Sequence, residues 1–383
     1  MKVLHIYRTY FPDPPGGLQE AIRQISLATQ DCGVESRIFA LSPTPAPREL
    51  RFAEGRVIRS KSWMAPASCD IGGLEAFWRF RELANWADVL HFHFPWPFGD
   101  VLHLLGIRSK PAIMTYHSDV VRQRYLGYVY APLMRWMLGS MSAVVATSPA
   151  YAQSSTVLTS LVRQDQMRVI PLGIGDYATD EVAQRCGPET VSRLPLSNRP
   201  YFLSLGVLRY YKGLHTLIEA APSIPAELII AGSGPELNNL EALAAEVGAS
   251  NVIFAGQVTN DEKMALLQGC RGLILPSQLR SEAFGMVLVE ASMFGKPMVC
   301  CEIGSGTSYV NKHGVTGFVV EPESPRALAA AVNALLDDER GSERMGKAAR
   351  ERYERLFSAP ALGRAYRNLY DEVLGRRVYG VSP

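Results

Sequence analysis

The sequence predicts an α/β protein made of two Rossmann-like domains, each built on a parallel sheet. Three observations carry that prediction. The chain has 383 residues, more than one ordinary hydrophobic core holds, since domains usually run to about 100–200 residues. Short runs rich in Val, Ile and Leu, bounded by Gly, Pro, Ser or Asp, alternate with helical stretches, as repeated βαβ units do. These runs fall into two series separated by a polar stretch.

The first series comprises residues 2–7, 36–41, 87–94, 111–117, 143–147 and 168–174, and the second 201–208, 226–231, 251–256, 272–276, 296–301 and 317–320. Those of the second series are near-continuous apolar runs, which suits strands covered by helices on both faces. Residues 175–199 carry Asp, Thr, Gly, Pro and Ser without a strand pattern and read as an interdomain connection with a hinge. The domains are therefore expected at 1–174 and 200–358. From Pro325 the chain reads as helical, and Pro360 interrupts it before a last amphipathic stretch. The segment 359–383 is expected to pack back on the first domain as a helix.

Composition narrows the class. Hydrophobic residues make up 47% and charged residues 20%, a balance that excludes disordered and fibrous chains. A net charge of +2 is too mild for a nucleic-acid binder, which needs a concentrated basic face. An anionic ligand would have to be held locally. The six cysteines show no C-x-x-C pair and no regular framework, so a reducing cytosol is expected. With no signal-peptide layout and no apolar run of about 18 residues, the chain is not expected to span a membrane.

In open α/β sheets ligands bind beyond the carboxyl ends of the strands, so the residues just after each predicted strand matter most. The richest stretch is Leu275-Pro276-Ser277 followed by Ser281-Glu282-Ala283-Phe284-Gly285-Met286-Val287-Leu288-Val289-Glu290-Ala291. Backbone N–H groups of a first helical turn near Phe284 to Val287 have no intrahelical partner and sit at the positive end of the helix dipole, where a diphosphate is stabilised. Glu282 and Glu290 flank that entry and would stand about 12 Å apart if both were helical. The alternative is that Glu282 caps the helix and Glu290 is a solvated or salt-bridged surface residue. A second cluster, Gly206-Val207-Leu208-Arg209-Tyr210-Tyr211-Lys212-Gly213-Leu214, places Arg209 and Lys212 in one strand-end loop. Together they can neutralise a diphosphate, although loop cations commonly just face water.

The first half offers Pro14-Pro15-Gly16-Gly17, where paired glycines permit positive φ and close backbone approach to a ligand; an ordinary tight turn is the alternative. His117 ends a predicted strand. His91 and His93 share one strand face by alternation, but no third metal ligand is evident in the sequence, so they read as structural or acceptor-side residues. Residues 120–141 mix Arg with Tyr, Trp and Leu, either as a membrane-surface helix or as one packing its aromatic stripe inward.

Taken in order, these motifs resemble the retaining glycosyltransferases of family four over nearly the whole chain. The most specific part is the E-x7-E pattern from Glu282 to Glu290, flanked by Leu275-Pro276-Ser277 and by Ala291-Ser292-Met293-Phe294-Gly295-Lys296-Pro297. The basic loop ending Lys212-Gly213, the stretch Ala231-Gly232-Ser233-Gly234-Pro235 and Phe254-Ala255-Gly256-Gln257-Val258 lie where the family has them. Val207 is a departure, because many members carry arginine directly after Gly206; the role is assigned to Arg209 instead.

The resemblance implies a GT-B fold with the two sheets facing across a cleft and a nucleotide diphosphate sugar as donor. It implies that Glu290 binds the ribose, Glu282 the donor sugar, and Arg209 and Lys212 the diphosphate. Backbone groups at Phe284, Gly285, Met286 and Val287 would contact sugar and phosphates, and Gly206, Gly16 and Gly17 would face the donor. Gly256, Gln257 and Val258 would lie near the base, and His117 would approach the transferred sugar. No D-x-D triplet occurs, so transfer without a metal and without any other cofactor is expected, the cations and helix terminus standing in.

The stretches Arg280-Ser281-Glu282-Ala283-Phe284-Gly285-Met286 and Cys301-Glu302-Ile303-Gly304-Ser305-Gly306-Thr307-Ser308-Tyr309-Val310-Asn311 look like those of bacterial mannosyltransferases and related deoxyhexosyltransferases of surface-polysaccharide assembly. GDP-mannose or GDP-rhamnose is the donor this implies, with a saccharide or lipid-linked glycan as acceptor. The enzyme is expected in the cytoplasm, with peripheral contact at the inner membrane. A nicotinamide dehydrogenase is a poor alternative, because the first strand lacks G-x-G-x-x-G. A sugar-nucleotide epimerase or a noncatalytic sugar-nucleotide-binding protein remains an alternative on fold alone.

Overall fold

A computed structural model describes the chain except residues 14–15, 67–68, 107–108, 120–123, 196, 198 and 377–383. It divides into two compact units, Met1–Gly175 together with the chain from Ala359 onward, and Asp176–Ser358.

In the first unit the strands are β1 (Lys2–Ile6), β2 (Glu35–Ser42), β3 (Glu49–Phe52), β4 (Gly55–Met64), β5 (Ile71–Gly72), β6 (Val89–Phe94), β7 (Ala112–Tyr116), β8 (Ala143–Ala146) and β9 (Met167–Val169). They form one sheet in the order β3-β4-β2-β1-β6-β7-β8-β9, with β5 on β4. All pairings are parallel except β3 and β5 against β4. The central strands are buried on both faces, so β7 and β8 read as largely continuous apolar runs, while β6 buries two polar residues, His91 and His93, among apolar ones. β3 to β5 are additions beyond the six strands expected from sequence. They form one edge, where β3 is mostly exposed and polar and β4 mixes buried with charged residues.

The C-terminal helix Ala359–Val373 belongs to this unit. Its Leu362, Tyr366, Leu369 and Tyr370 share one helical face and pack with Ile25 and Ala28 of the helix Gly17–Gln30 and with Val3 and Val89 of the sheet. Each fully buried large apolar side chain stabilises such a seam by roughly 1.5–3 kcal/mol relative to exposure.

The second unit holds β10 (Tyr201–Leu205), β11 (Glu227–Ala231), β12 (Val252–Gly256), β13 (Gly272–Leu275), β14 (Met298–Cys301) and β15 (Gly317–Val320). They lie wholly parallel in the order β12-β11-β10-β13-β14-β15. The order reverses between β10 and β13, the place where open α/β sheets open a crevice at their carboxyl ends.

Residues 175–199 are not a bare connection. They carry the helix Asp180–Arg185 and a short turn at Pro188–Val191, tied to the second unit by Arg185–Asp261 and Arg193–Glu262 ion pairs. Among the described residues, no helix is long and apolar enough to cross a membrane.

Candidate functional site

The loops that follow β10 and β13 are tied together. After β10 the chain makes a single turn, Tyr210–Lys212, and leaves it through Gly213 at φ +66°. A Cβ at 213 would meet the Pro276 carbonyl oxygen at 2.1 Å, so only glycine lets this backbone lie against the end of β13. The Gln278 N–H donates to the Tyr211 carbonyl at 3.0 Å. The result is that the Lys212 ammonium donates to the Glu282 carboxylate in an ion pair, beside Gly206 and within reach of the Ser277 hydroxyl at 3.4 Å from Glu282.

Glu282 lies in a turn, its N–H bonded to the Leu279 carbonyl at 3.0 Å, and is outside the helix Met286–Met293. The 12 Å separation expected for two helical glutamates therefore does not apply. Nor does Glu282 cap the helix: the cap is Gly285, at φ +81°, with no side chain bonded to the helix start. That leaves the Met286 and Val287 N–H groups without intrahelical partners at the positive end of the helix. Phe284 is buried edge-on against Phe357 at 6.1 Å and anchors the loop that presents them. Glu290, farther along the helix, pairs with Lys263 of the helix Asn260–Gly269 at 2.6 Å. Lys263 escaped the sequence reading because its pairing depends on how two helices pack, and no local motif records that.

Gly256 closes β12, and beyond it Gln257 accepts from the Ser233 hydroxyl at 3.0 Å, linking the loops after β11 and β12; Val258 is half-buried. Val207 is half-exposed. Arg209 is exposed and lines a separate depression of about 160 Å³ with Tyr210, His215, Glu236 and Asn239. Lys212, not Arg209, is the cation that meets Glu282 among the described residues.

In the first unit, Gly16 caps the helix Gly17–Gln30 in extended backbone and Gly17 is helical. Neither uses the positive φ that a glycine pair permits. Pro14 and Pro15 lie outside the described residues. His117 follows β7 and is buried in a group of imidazoles. Register sets His5 of β1 beside His91 of β6, and alternation brings His93 to the same face. His5 is thus the third imidazole, hidden from sequence reading because register between distant strands is not written locally.

The ring nitrogens are almost all engaged. His91 bonds Tyr370 at 2.9 Å and Thr115 at 2.7 Å; His93 bonds His5 and His117, both at 3.1 Å. His91 and His93 stack at 4.3 Å between centroids, tilted by 26°. Stacked rings with occupied nitrogens form a hydrogen-bonded pile rather than a set of lone pairs converging on one ion. Burial pushes the His5 and His117 pKa values down to about 3 and those of His91 and His93 well below the ordinary value, with neighbouring imidazoles adding to the shift in His91 and His93. All four rings are neutral near pH 7.

Of residues 120–141, those at 120–123 lie outside the described set. Farther along the helix Arg124–Ser140, the Tyr130 hydroxyl bonds buried Asp100 and the Trp136 ring meets His103 at 5.6 Å, both on the helix Pro97–Leu105. Tyr130 and Trp136 therefore pack inward. Among the described residues, the exposed apolar side chains include Trp63, Met64, Leu74 and Trp78.

Family comparisons agree with this layout. Residues 190–352 match the model described as glycosyl transferases group 1, and residues 16–173 match a glycosyl transferase 4-like domain. The chain is 39% identical over 376 residues to O-antigen chain mannosyltransferase C of Escherichia coli, covering 98% of this chain and 99% of that one. The chain belongs to the group 1 glycosyltransferases. It is also 40% identical to D-rhamnosyltransferase WbpZ of Pseudomonas aeruginosa, over 94% of this chain and 93% of that one. Sucrose-phosphate synthase of Thermosynechococcus elongatus shares the fold at TM-score 0.78 and 22% identity, covering 98% and 99% of the two chains. Anabaena HepE, solved with UDP, does so at TM-score 0.76 and 19% identity, over 97% and 100%. This glycosyltransferase has the GT-B fold, its two parallel-sheet units accounting for the two series of apolar runs.

Proposed function

We propose that this glycosyltransferase moves a mannosyl or rhamnosyl unit from GDP-mannose or GDP-rhamnose to a saccharide or lipid-linked glycan of bacterial surface polysaccharide, with retention of configuration and without a metal ion. The observation that carries the reading is the Lys212–Glu282 pair before the start of the helix Met286–Met293, where no side chain bonds the first turn. The sugar class follows from the similarity to an O-antigen mannosyltransferase and a rhamnosyltransferase.

In the free protein Lys212 and Glu282 neutralise each other. With donor bound, the diphosphate takes Lys212 and the Phe284–Val287 backbone, and Glu282 accepts from sugar hydroxyls. Arg209 adds charge to the diphosphate from the same loop. Glu290 accepts from the ribose, with Lys263 holding the carboxylate in place. Gly206, Gly16 and Gly17 face the donor, and Gly256, Gln257 and Val258 lie near the base. His117 makes a polar contact to the transferred sugar.

As the bond from the anomeric carbon to the phosphate oxygen breaks, the acceptor oxygen bonds that carbon on the same face. The acceptor proton passes to the departing phosphate oxygen. Lys212 and the helix terminus stabilise the charge growing on that oxygen, the role a metal plays elsewhere.

A lipid-linked acceptor places the enzyme on the inner face of the cytoplasmic membrane, with Trp63, Met64, Leu74 and Trp78 as the apolar contact. The deciding experiment is a panel of nucleotide sugars with a lipid-linked acceptor glycan, followed by nucleotide release and product NMR, with and without excess EDTA. GDP release from GDP-mannose or GDP-rhamnose, an axial product linkage matching the donor and activity surviving chelation are expected. Turnover confined to UDP-sugars, inverted configuration, or loss in EDTA restored by a divalent ion would each overturn the corresponding part. Conversion of donor without acceptor would point to an epimerase, and saturable binding without nucleotide release to a noncatalytic binder.

A further inference from the structure

His5, His93 and His117 form a chain of two hydrogen bonds, His5 Nδ1 to His93 Nε2 and His93 Nδ1 to His117 Nε2, each 3.1 Å long. All three rings are buried, and burial keeps them uncharged at neutral pH. A neutral imidazole has one N–H and one lone pair. His93, in the middle, can therefore donate from only one of its two nitrogens.

Only two arrangements satisfy both bonds. With its proton on Nδ1, His93 donates to His117 and accepts from His5. With its proton on Nε2, it accepts from His117 and donates to His5. Any other arrangement sets two N–H groups or two lone pairs against each other. Because each bond joins an Nδ1 to an Nε2, the three rings must all carry their protons on Nδ1 or all on Nε2. The His117 ring makes no further bond among the described residues, so its Nδ1 is the nitrogen left for a ligand, as donor in the first state and acceptor in the second. The far end is His5 Nε2, buried without a partner, where the two states leave either a lone pair or an N–H unsatisfied.

We propose that His5, acting through His93, fixes which nitrogen of His117 carries the proton, and hence whether His117 donates to or accepts from a sugar hydroxyl. His5 and His93 are then positioning residues in the first unit. The inference rests on the proposed contact of His117 with the transferred sugar. His91 is outside the chain, since Tyr370 and Thr115 occupy both its nitrogens.

Nitrogen-15 NMR of histidine-labelled protein tests this, because protonated and bare ring nitrogens resonate far apart. In the parent protein, His5, His93 and His117 are expected to be protonated on the same nitrogen. His5→Phe keeps a ring but removes the bond to His93; His117 should then average between tautomers, with kcat lowered roughly threefold to tenfold, the worth of one neutral hydrogen bond, and donor KM held within twofold. His5→Asn, whose amide can again bond His93, should recover most of kcat. Protons on different nitrogens in the parent protein would overturn the proposal, and that reading does not depend on any variant folding. So would a folded His5→Phe whose His117 signals do not move. If His117→Ala instead leaves kcat unchanged, the contact with sugar fails while the NMR pattern still decides the coupling.

Discussion

Lys212 and Glu282 lie 70 residues apart in sequence and meet in an ion pair in which each side chain is only 12% exposed. The pair bridges the loops after β10 and β13, neighbouring strands where the sheet order reverses. A pair this sheltered is costly to halve, because the remaining charge loses its partner in a poorly hydrated place.

Lys212→Ala is therefore expected to reduce transfer by about a hundredfold to a thousandfold, the loss typical when one preorganised donor to a developing oxyanion is removed. Initial rates at saturating donor and acceptor, with circular dichroism to verify folding, provide the measurement. A folded variant within threefold of the parent would remove Lys212 from the diphosphate.

Glu282 and Glu290 are expected to separate by ligand. Glu290→Gln should weaken both intact donor and free nucleoside diphosphate, since both carry the ribose, and Lys263→Met should follow it because Lys263 pairs with that carboxylate. Glu282→Gln should leave nucleoside diphosphate affinity nearly unchanged while lowering transfer. Each effect should be about tenfold to a hundredfold, the worth of one charge-assisted hydrogen bond. Calorimetry and initial rates decide it, and the opposite pattern would reverse the two assignments.

The sheet cores were legible because strands such as Ala143–Ala146 are buried on both faces and read as unbroken apolar runs. β4 was not, since Arg56, Arg59, Lys61 and Ser62 interrupt its apolar pattern. A helix start after Glu282 was legible, but not its geometry: the chain turns at Leu279–Glu282 and begins the helix only at Met286. Lys263 and His5 were invisible because their partners come from helix packing and strand register, which no local window contains. In residues 120–141 the amphipathic pattern fitted both membrane contact and packing, and the Tyr130 and Trp136 contacts place those two side chains on the protein side.

The patch around Trp63 gives the membrane reading a test. The Trp63 ring lies on the backbone of Gly73, the next residue Leu74 is 77% exposed, and Trp78 follows one helical turn later at 62%. Trp63→Ser and Trp78→Ser should leave the melting temperature nearly unchanged, as both side chains already face solvent. Together they should weaken co-sedimentation with phosphatidylglycerol vesicles by about tenfold or more, since interfacial binding scales with the apolar area buried. Unchanged partition of the double variant would dispose of the patch as a contact.

Stability should peak near pH 6.5, because two sets of buried groups pull in opposite directions. His5 and His117 have folded pKa values near 3, and His91 and His93 are also depressed, all through burial. Below the unfolded value of about 6.5 the unfolded chain binds protons that the folded one refuses, so stability is lost as pH falls from 6.5 towards 3. At pH 5 His5 and His117 each cost about 2 kcal/mol, from 1.4 kcal/mol per pH unit. Asp100 works the other way: burial raises its pKa to about 8, against the smaller effect of the Tyr130 hydroxyl that bonds it. Between about pH 4 and 8 the folded chain keeps a proton that the unfolded chain releases, so this carboxyl lowers stability as pH rises. Below 6.5 four histidines outweigh one aspartate; between 6.5 and 8 Asp100 acts alone among these five. Melting temperatures from pH 5 to 9 should therefore fall on both sides of the maximum. Asp100→Asn should flatten the alkaline side, and His5→Phe should make the acid side less steep by up to one proton. A maximum that stays in place in Asp100→Asn, with the alkaline fall intact, would show that Asp100 is not held protonated in the folded chain.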